Sequence, residues 1–361
     1  MNKYFSLPFF KRLPILIALF ILTSMILACT PQVSAPTPTE SNLLTVMTHD
    51  SFAATESVLK KFEDQTGATV KFIKAGDTGS ALNKAILAKG NPIADVFYGV
   101  DNTFLSRAIQ EGIFQPYDSP MLKDIPAPFQ LDSQKRLLPV DYGDVCLNYD
   151  KAYFNEHQLQ PPKSLDDLTT TDYKSLLVVE NPALSSPGLA FLLTTISVYG
   201  SDHYLDFWKK LVDNDVKIVN DWETAYYTEF SVHGGTRPIV VSYNSSPPAE
   251  VVFAETPINE PPTAAITTNH TCFRQIEFVG ILQGAKNVHL AQKWIDFMLG
   301  VDFQTDMPLQ MFVFPVNPKA PLPEQFQKFV VIPQETAQVD ANLIGQNRDK
   351  WIQEWTSAIL H

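Results

Sequence analysis

Short apolar runs alternate with segments of helical periodicity from Leu43 to about residue 300. Apolar runs of roughly four to eight residues predict strands, and an apolar spacing of about 3.6 residues predicts amphipathic helices. Between 54 and 67, for example, Val58, Leu59 and Phe62 share one helical face, and Gly67 is placed to end that helix. Alternation of this kind is typical of an α/β chain.

The same pattern divides most of the chain into predicted elements. Strands are predicted at 43–50, 68–77, 94–101, 175–182, 216–222, within 237–247 and within 267–282. Helices are predicted at 54–67, 79–90, 102–112, 185–200 and 291–300. The strand within 237–247 is expected to end in a loop. No repeat of fixed period is present.

Polar residues collect where these predicted strands end. They form short groups at 50–51, 77–80, 101–102, 181–186, 221–222 and 243–246. Because open α/β sheets bind ligands beyond the carboxyl ends of their strands, these loops are expected to line a shared cleft.

An aromatic stretch, VNDWETAYYTEF at 219–230, accompanies one of those strand ends. Trp222 and Tyr226 are four residues apart and would share a helical face, an arrangement that belongs to the core more often than to a ligand site. The polar loops nearby weigh against the core, and on these residues alone both interpretations of Trp222 stay open.

The N-terminus has the pattern of an export signal over residues 1–28. Three basic residues precede an apolar run, and the run ends in Ile-Leu-Ala-Cys29, which resembles the lipobox of bacterial lipoproteins. The sequence predicts a cleaved leader and a lipidated Cys29; an uncleaved anchor helix is the alternative. Residues 29–42 are rich in Pro, Thr and Ser and are predicted to be a flexible tether.

The remaining chain of about 320 residues is long enough for two domains. Without the leader it has 24 basic and 39 acidic residues, a formal charge of −15. Such a charge argues against nucleic acid as a partner and favours a cationic ligand.

Motifs of the common cofactor and hydrolytic sites are absent from the sequence. There is no G-x-G-x-x-G, P-loop, H-E-x-x-H, C-x-x-C or G-x-S-x-G, so no cofactor and no metal is expected. A hydrolase built from scattered Ser, His and Asp stays as an alternative. Cys146 and Cys272 could form a disulfide or remain two buried thiols.

One local feature suggests an anion site. Ser185 or Ser186 can cap a predicted helix whose first position is Pro187. A helix start at a strand-end loop can hold a phosphate, although an ordinary helix cap would look the same.

Six blocks of the sequence, taken in order, resemble one family. They are LTVMTHDSFAA (44–54), ADVFYGVDNTFLSRAIQEGIF (94–114), PVDYGDVCLNYDK (139–151), NPALSSPGL (181–189), DWETAY (221–226) and SYNSSP (242–247). The chain resembles the thiamine-binding solute-binding proteins of ABC importers, within a group that also includes iron(III) and polyamine binders.

The resemblance implies a two-lobed fold of the periplasmic-binding-protein type (type II), with the ligand cleft between lobes joined by crossing strands. The first lobe would comprise 43–141 and about 276–316, and the second 142–275 and about 317–361. The crossings would lie near 141–143 and 273–277. Cys146 and Cys272 lie in these segments, so the resemblance predicts that they form a disulfide.

The resemblance also implies a set of ligand-binding residues: Asp50, Asp77, Thr78, Gly79, Asp101, Tyr142, Ser185, Ser186, Trp222, Tyr226, Tyr243, Ser246 and Phe312. Trp222 and Tyr243 would supply aromatic faces for a thiazolium or pyrimidine ring. With this role in view, we predict that Trp222 lines the cleft and that Tyr227 packs inside, and we leave Tyr226 open between the two. Asp50 and Asp77 would supply carboxylates.

This sequence departs from the family pattern at three aromatic positions. His49 and Ala249 stand where the family has Tyr, and Phe312 stands where it has Trp.

The implied function is capture of thiamine or its phosphates outside the cytoplasm and delivery to the membrane subunits of an ABC importer, without catalysis. The protein would be a monomer held at the membrane by its lipid alone, on the outer face of the cytoplasmic membrane. A receptor for iron(III) or for another small cationic or pyrimidine solute is the alternative. The iron binders resembling this chain use a second Tyr adjacent to the one at Tyr243, and here Asn244 stands there.

Overall fold

The protein is described here from a computed structural model that covers residues 42–268 and 270–360. The predicted signal peptide, Cys29 and residues 30–41 of the predicted tether lie outside the described residues. Among the helices of the described part, none has the length and apolar character needed to span a bilayer.

Strands and helices alternate through the described chain. The strands are β1 Leu43–Thr48, β2 Thr69–Lys74, β3 Val96–Asp101, β4 Phe114–Gln115, β5 Leu138–Asp150, β6 Leu177–Glu180, β7 Lys217–Val219, β8 Ile239–Tyr243, β9 Thr263–Ile266, β10 Phe273–Leu282 and β11 Phe314–Pro315.

The helices are α1 Glu56–Thr66, α2 Thr78–Leu87, α3 Leu105–Gln110, α4 Lys151–Glu156, α5 Ser186–Tyr199, α6 Tyr204–Asp213, α7 Ser246–Val252, α8 Val288–Leu299, α9 Val301–Gln310, α10 Glu324–Phe329 and α11 Ala341–Ile359. A π-helical segment spans Thr224–Glu229. Short 3-10 turns lie at Pro120–Asp124, Ala127–Phe129, Asp166–Thr169, Thr171–Tyr173 and Ser231–His233.

One mixed sheet runs through the described residues in the order β2-β1-β3-β10-β5-β8-β6-β7. Strands β1, β2 and β3 are parallel and form the first half of the sheet, whereas β6, β7 and β8 are parallel and form the second half. The long strands β5 and β10 lie between the halves and are antiparallel to each other. β10 pairs with β3 and β5 pairs with β8, so these two strands connect the halves.

The ends of α1 follow the local rules that the sequence suggested. The Thr55 hydroxyl accepts a hydrogen bond from the Val58 backbone N–H, which caps the first turn. Gly67 follows the last turn at φ 69°, a left-handed conformation that Gly adopts without a Cβ penalty. The buried face of α1 packs through Phe62 against Trp294 of α8, with ring centroids 4.9 Å apart.

The segment after β8 differs from the predicted loop, because it forms helix α7. Pro247 and Pro248 lie in its first turn, where a backbone N–H has no intrahelical partner to lose. Helix α5 begins at Ser186, within the predicted range 185–200 and one residue before Pro187, the predicted first position. Ser185 occupies its N-cap position without a side-chain capping bond to the helix.

Cys146 of β5 and Cys272, which directly precedes β10, form a disulfide. Their Cα atoms are 4.3 Å apart, and both residues are buried. The bridge lies beside the paired residues Val145 and Phe273, and therefore ties together the two strands that connect the halves of the sheet.

Candidate functional site

A cavity of about 160 Å³ opens between the two halves of the sheet. Its lining comes from the end of β1, the starts of α2 and α5, the π-helical segment, the end of β8, strand β10 and the 310–313 turn. The lining residues are His49, Ser51, Asp77, Thr78, Ser186, Pro187, Trp222, Glu223, Tyr227, Tyr243, Ser246, Glu277, Gln310, Met311, Phe312 and Val313.

Trp222 is fixed from one side and open on the other. Its indole N–H donates to the Ser242 hydroxyl at 2.9 Å. One indole face stacks on Tyr226, with centroids 5.1 Å apart and planes 19° apart. The residue remains partly exposed and lines the cavity. A planar ligand could stack on the exposed face without any rearrangement of the indole.

Tyr227 does not pack inside, contrary to the prediction from the sequence. Its side chain is 49% exposed and lines the cavity, where it meets Trp222 edge to face at 5.5 Å. The segment Thr224–Glu229 is π-helical, with a wider turn than the 3.6-residue α-helix, and in this geometry Tyr226 is buried and Tyr227 is exposed.

Asp77 is the acidic group at the start of α2. Burial raises its pKa to about 7, while the hydrogen bond from the Trp222 backbone N–H acts in the opposite direction. The Trp222 nitrogen is 3.2 Å from the Asp77 carboxylate. A cation in the cavity would favour the ionised form of this carboxyl group.

Glu277 belongs to a buried acidic cluster at the base of the cavity. The Tyr98 hydroxyl lies 2.6 Å from the Asp141 carboxylate and 3.0 Å from that of Glu277. His49 Nε2 is 3.7 Å from a Glu277 oxygen. Burial raises the pKa of Glu277, and the Asp141 charge raises it further. Burial lowers the pKa of His49 to about 4, so the imidazole is neutral near pH 7.

Three contacts join the two sides of the cavity. The Gly79 N–H donates to the Leu184 carbonyl at 2.9 Å. The Ser51 hydroxyl lies 3.4 Å from the Glu223 carboxylate, and the Trp222–Asp77 hydrogen bond is the third. A ligand in the cavity is thus enclosed by elements of both halves.

Phe312 closes one wall of the cavity in an unusual backbone conformation. Its φ is 54°, a left-handed value that is uncommon for a bulky residue. Ser245 donates a hydrogen bond to the Phe312 carbonyl, and the ring meets Phe253 edge to face at 5.1 Å. Such strain persists only where the surroundings hold the residue in place.

Known proteins share this architecture and much of this sequence. Residues 91–337 match the family described as bacterial extracellular solute-binding protein. The thiamine-binding periplasmic protein of Escherichia coli K12 is 31% identical over 342 residues, which cover 93% of this chain and 97% of that protein. The chain belongs to the bacterial extracellular solute-binding proteins.

Two solved structures share the fold of this solute-binding protein. A periplasmic thiamin binding protein superposes with a TM-score of 0.78 and 29% identity, covering 88% of this chain and 96% of the other. A ferric binding protein from Campylobacter jejuni superposes with a TM-score of 0.72 and 20% identity over 87% and 99% of the two chains, a likeness of fold. The predicted α/β fold class and non-enzymatic, extracytoplasmic role are confirmed.

The predicted ligand-binding residues of this solute-binding protein fall into three groups. Asp77, Thr78, Ser186, Trp222, Tyr243, Ser246 and Phe312 line the cavity. Tyr226 lies behind Trp222 and faces a neighbouring cavity. Asp50, Gly79, Asp101, Tyr142 and Ser185 do not line the cavity.

The residues of the third group have other contacts. Asp50 accepts a hydrogen bond from the Gly76 N–H, and Asp101 accepts one from the Thr103 N–H. Tyr142 packs between Phe129 and Phe314. Among the described residues, no group of three or more His, Cys, Asp or Glu is arranged to hold a metal ion.

Glu277 and Tyr98 were missed because both lie inside predicted strands and not at the strand ends. The carboxyl group of Glu277, followed by the apolar run 278–282, was a sequence signal, since an ionisable residue is rarely buried without a partner or a function. Gln310 and Met311 could not be predicted as cavity residues, because helix α9, which ends at Gln310, was not predicted from the sequence.

Proposed function

We propose that this protein captures thiamine, or one of its phosphates, between the two halves of the sheet and delivers it to the membrane subunits of an ABC importer. The observation that carries the proposal is a cavity lined by the partly exposed indole of Trp222 and by the carboxyl groups of Asp77 and Glu277. The name of the Escherichia coli relative supports the same ligand.

The chemistry of thiamine suits this cavity. Its thiazolium ring carries a fixed charge, which a desolvated aromatic face stabilises by ~1 to 2 kcal/mol. Asp77 and Glu277 would balance that charge, and the acidic surface of the chain would attract the cation from solution. No group of the cavity needs to react, so the ligand would leave unchanged.

A phosphorylated ligand would extend toward the start of α5. Ser186 and Pro187 line the cavity at the first turn of this helix, which has 14 residues. The positive end of the helix dipole and the Ser186 hydroxyl would face the phosphate. Asp77 would oppose it, so we expect thiamine monophosphate to bind better than the more highly charged diphosphate.

Calorimetry and mass spectrometry test the proposal. Ligand released by unfolding the purified protein should have the mass of thiamine or one of its phosphates. Titration of the emptied protein with thiamine should give one site per chain. Failure to bind thiamine and both of its phosphates at millimolar concentration would contradict the proposal.

We also propose that the mature protein is a monomer held outside the cytoplasmic membrane by lipidated Cys29. The lipobox-like ending and the tether of 29–42 support this arrangement. Cys29→Ala should move the protein from the membrane to the soluble fraction, whereas Thr37→Ala within the tether should not. Membrane retention of Cys29→Ala would rule out the lipid as the anchor.

A further inference from the structure

A second cavity of about 170 Å³ lies next to the first, and we call it the side compartment. It shares Trp222, Tyr227, Ser246 and Phe312 with the main cavity. Beyond these shared residues it is lined by Tyr226, His233, Ala249, Glu250 and Phe253. The four shared residues make the two cavities direct neighbours.

Ala249 leaves the room that the side compartment occupies. It lies on α7 and is 8% exposed, and its methyl group is the smallest side chain in the lining. The remaining walls are largely aromatic. Tyr227 and Phe253 are 49% and 58% exposed, more than most large aromatic side chains of a folded protein. Exposed aromatic faces around a cavity suit a flat ring.

Glu250 supplies a fixed acceptor in these aromatic surroundings. The Tyr226 hydroxyl donates to its Oε1 at 2.5 Å, and His233 Nε2 lies 3.0 Å from the same oxygen. Both contacts hold the carboxylate through Oε1. The second oxygen, Oε2, takes part in neither of these two contacts. Its lone pairs can therefore accept a hydrogen bond from a donor in the compartment that Glu250 lines.

These features select one class of ligand group. A phosphate or carboxylate would be repelled by Glu250, and a purely apolar group would bury the carboxylate without a hydrogen bond. A flat heteroaromatic ring that carries an amino group satisfies both the aromatic walls and the acceptor.

We propose that the side compartment binds an amino-substituted heteroaromatic ring of the ligand, whose amino group donates a hydrogen bond to Glu250. This inference rests on the proposed function, and for thiamine the ring is the aminopyrimidine. The thiazolium then lies in the main cavity between Trp222 and the carboxyl groups of Asp77 and Glu277. Tyr227, which borders both spaces, contacts both rings.

The test compares thiamine with oxythiamine, in which a carbonyl oxygen replaces the amino group of the pyrimidine. Calorimetry on the wild-type chain should give tighter binding of thiamine by about 10-fold or more, the usual effect of a hydrogen bond to a charged group. Glu250→Gln should weaken thiamine binding about 10-fold. It should leave oxythiamine binding unchanged or tighter, because the Gln amide can donate to the carbonyl.

Glu223→Gln is the matched control, since Glu223 lines the main cavity and not the side compartment. It should keep the wild-type preference for thiamine over oxythiamine. Ala249→Leu is a second variant that leaves the Glu250 hydrogen bonds in place and fills the compartment; it should weaken both ligands about 10-fold or more.

An unchanged preference in folded Glu250→Gln, or full affinity in folded Ala249→Leu, would overturn the subsite while leaving the thiamine proposal intact. Absence of binding of thiamine and its phosphates to the wild-type chain would instead overturn the proposed function and this inference together. Thermal melts identify variants that fail to fold, and if Glu250→Gln is one of them, Ala249→Leu decides the question.

Discussion

Trp222 combines a supported face with an exposed one, so its contributions to binding and to folding can be separated. Tyr226 and Ser242 hold the indole from behind, and the cavity lies in front. A fully buried Trp has protein contacts on both faces and no face open to a ligand. Trp294, which is 0% exposed and packs against Phe62, provides the comparison.

We expect Trp222→Ala to weaken thiamine binding by ~1.5 to 3 kcal/mol, because the stacked, desolvated contact with the cation is lost. The melting temperature without ligand should fall only slightly, since the indole is already partly exposed. Trp294→Ala should instead cost ~3 to 5 kcal/mol of folding stability through the cavity that it leaves. Calorimetry and thermal melts of both variants measure these effects. A fall in melting temperature for Trp222→Ala as large as that for Trp294→Ala, with unchanged thiamine affinity, would show that Trp222 is a core residue.

Asp77 should make thiamine binding depend on pH. Because burial raises its pKa to about 7 in the empty protein, the group is largely protonated at pH 6 and largely ionised at pH 8. Thiamine affinity should therefore rise with pH through this range, and binding below pH 7 should release a proton. Calorimetry in buffers of different ionisation enthalpy measures the number of protons released. Asp77→Asn should reduce that number, because the variant has no carboxyl group at this position to ionise.

The same carboxyl group affects stability in the opposite direction. Its pKa is raised from 3.8 in the unfolded chain to about 7, so its contribution to folding is full below pH 3.8 and is lost as the pH rises through 7. Bound thiamine should offset that loss, and the thermal shift caused by thiamine should accordingly be larger at pH 8 than at pH 6.

At the scale of elements, the starts of α2 and α5 meet across the cavity. A Cβ added at Gly79 would lie 2.7 Å from the Ala183 carbonyl oxygen, and the Gly79 N–H donates to the Leu184 carbonyl. Gly188 is equally restricted, since a Cβ there would lie 2.5 Å from the Glu180 carbonyl oxygen. Gly188, however, contacts a strand of its own half.

We predict that Gly79→Ala weakens thiamine binding about 10-fold or more with little change in the melting temperature without ligand, because opening the cleft relieves the clash. Gly188→Ala should lower that melting temperature, since no opening relieves it and overpacking costs ~1 to 3 kcal/mol. Equal effects of the two variants on the melting temperature would show that the α2–α5 contact is part of the folded core.

At the scale of the whole molecule, β5 and β10 carry the connection between the halves of the sheet, and the disulfide joins them away from the cavity lining. Replacing both Cys146 and Cys272 by Ala should lower the free energy of unfolding by ~2 to 4 kcal/mol, because the unfolded chain gains freedom. Thiamine affinity should change by less than about 2-fold. Urea unfolding and calorimetry measure the two effects, and mass spectrometry of unreduced, unfolded protein would contradict the bridge by finding two free thiols.

The α/β class, most of the strands and helices up to α5, and the solute-binding class could be predicted from the sequence. The fold class and the elements follow from local periodicity. The solute-binding class follows from six sequence blocks that occur in the same order in the family that the chain resembles. The sequence also suggested Trp222 and Asp77 as cavity residues, because both follow predicted strands. Helix α7 was missed because two successive prolines suggest a loop, although the first turn of a helix tolerates proline.

Which side chains share a site could not be predicted, because it depends on long-range packing. Tyr98 and Glu277 are 179 positions apart and have no local signal for their hydrogen bond. Glu250 meets Tyr226 and His233 because α7 packs beside the π-helical segment, and Tyr227 lines the cavity from that segment, whose turn is wider than that of the 3.6-residue α-helix. Contacts of this kind depend on chain crossing and packing, which periodicity along one segment does not encode.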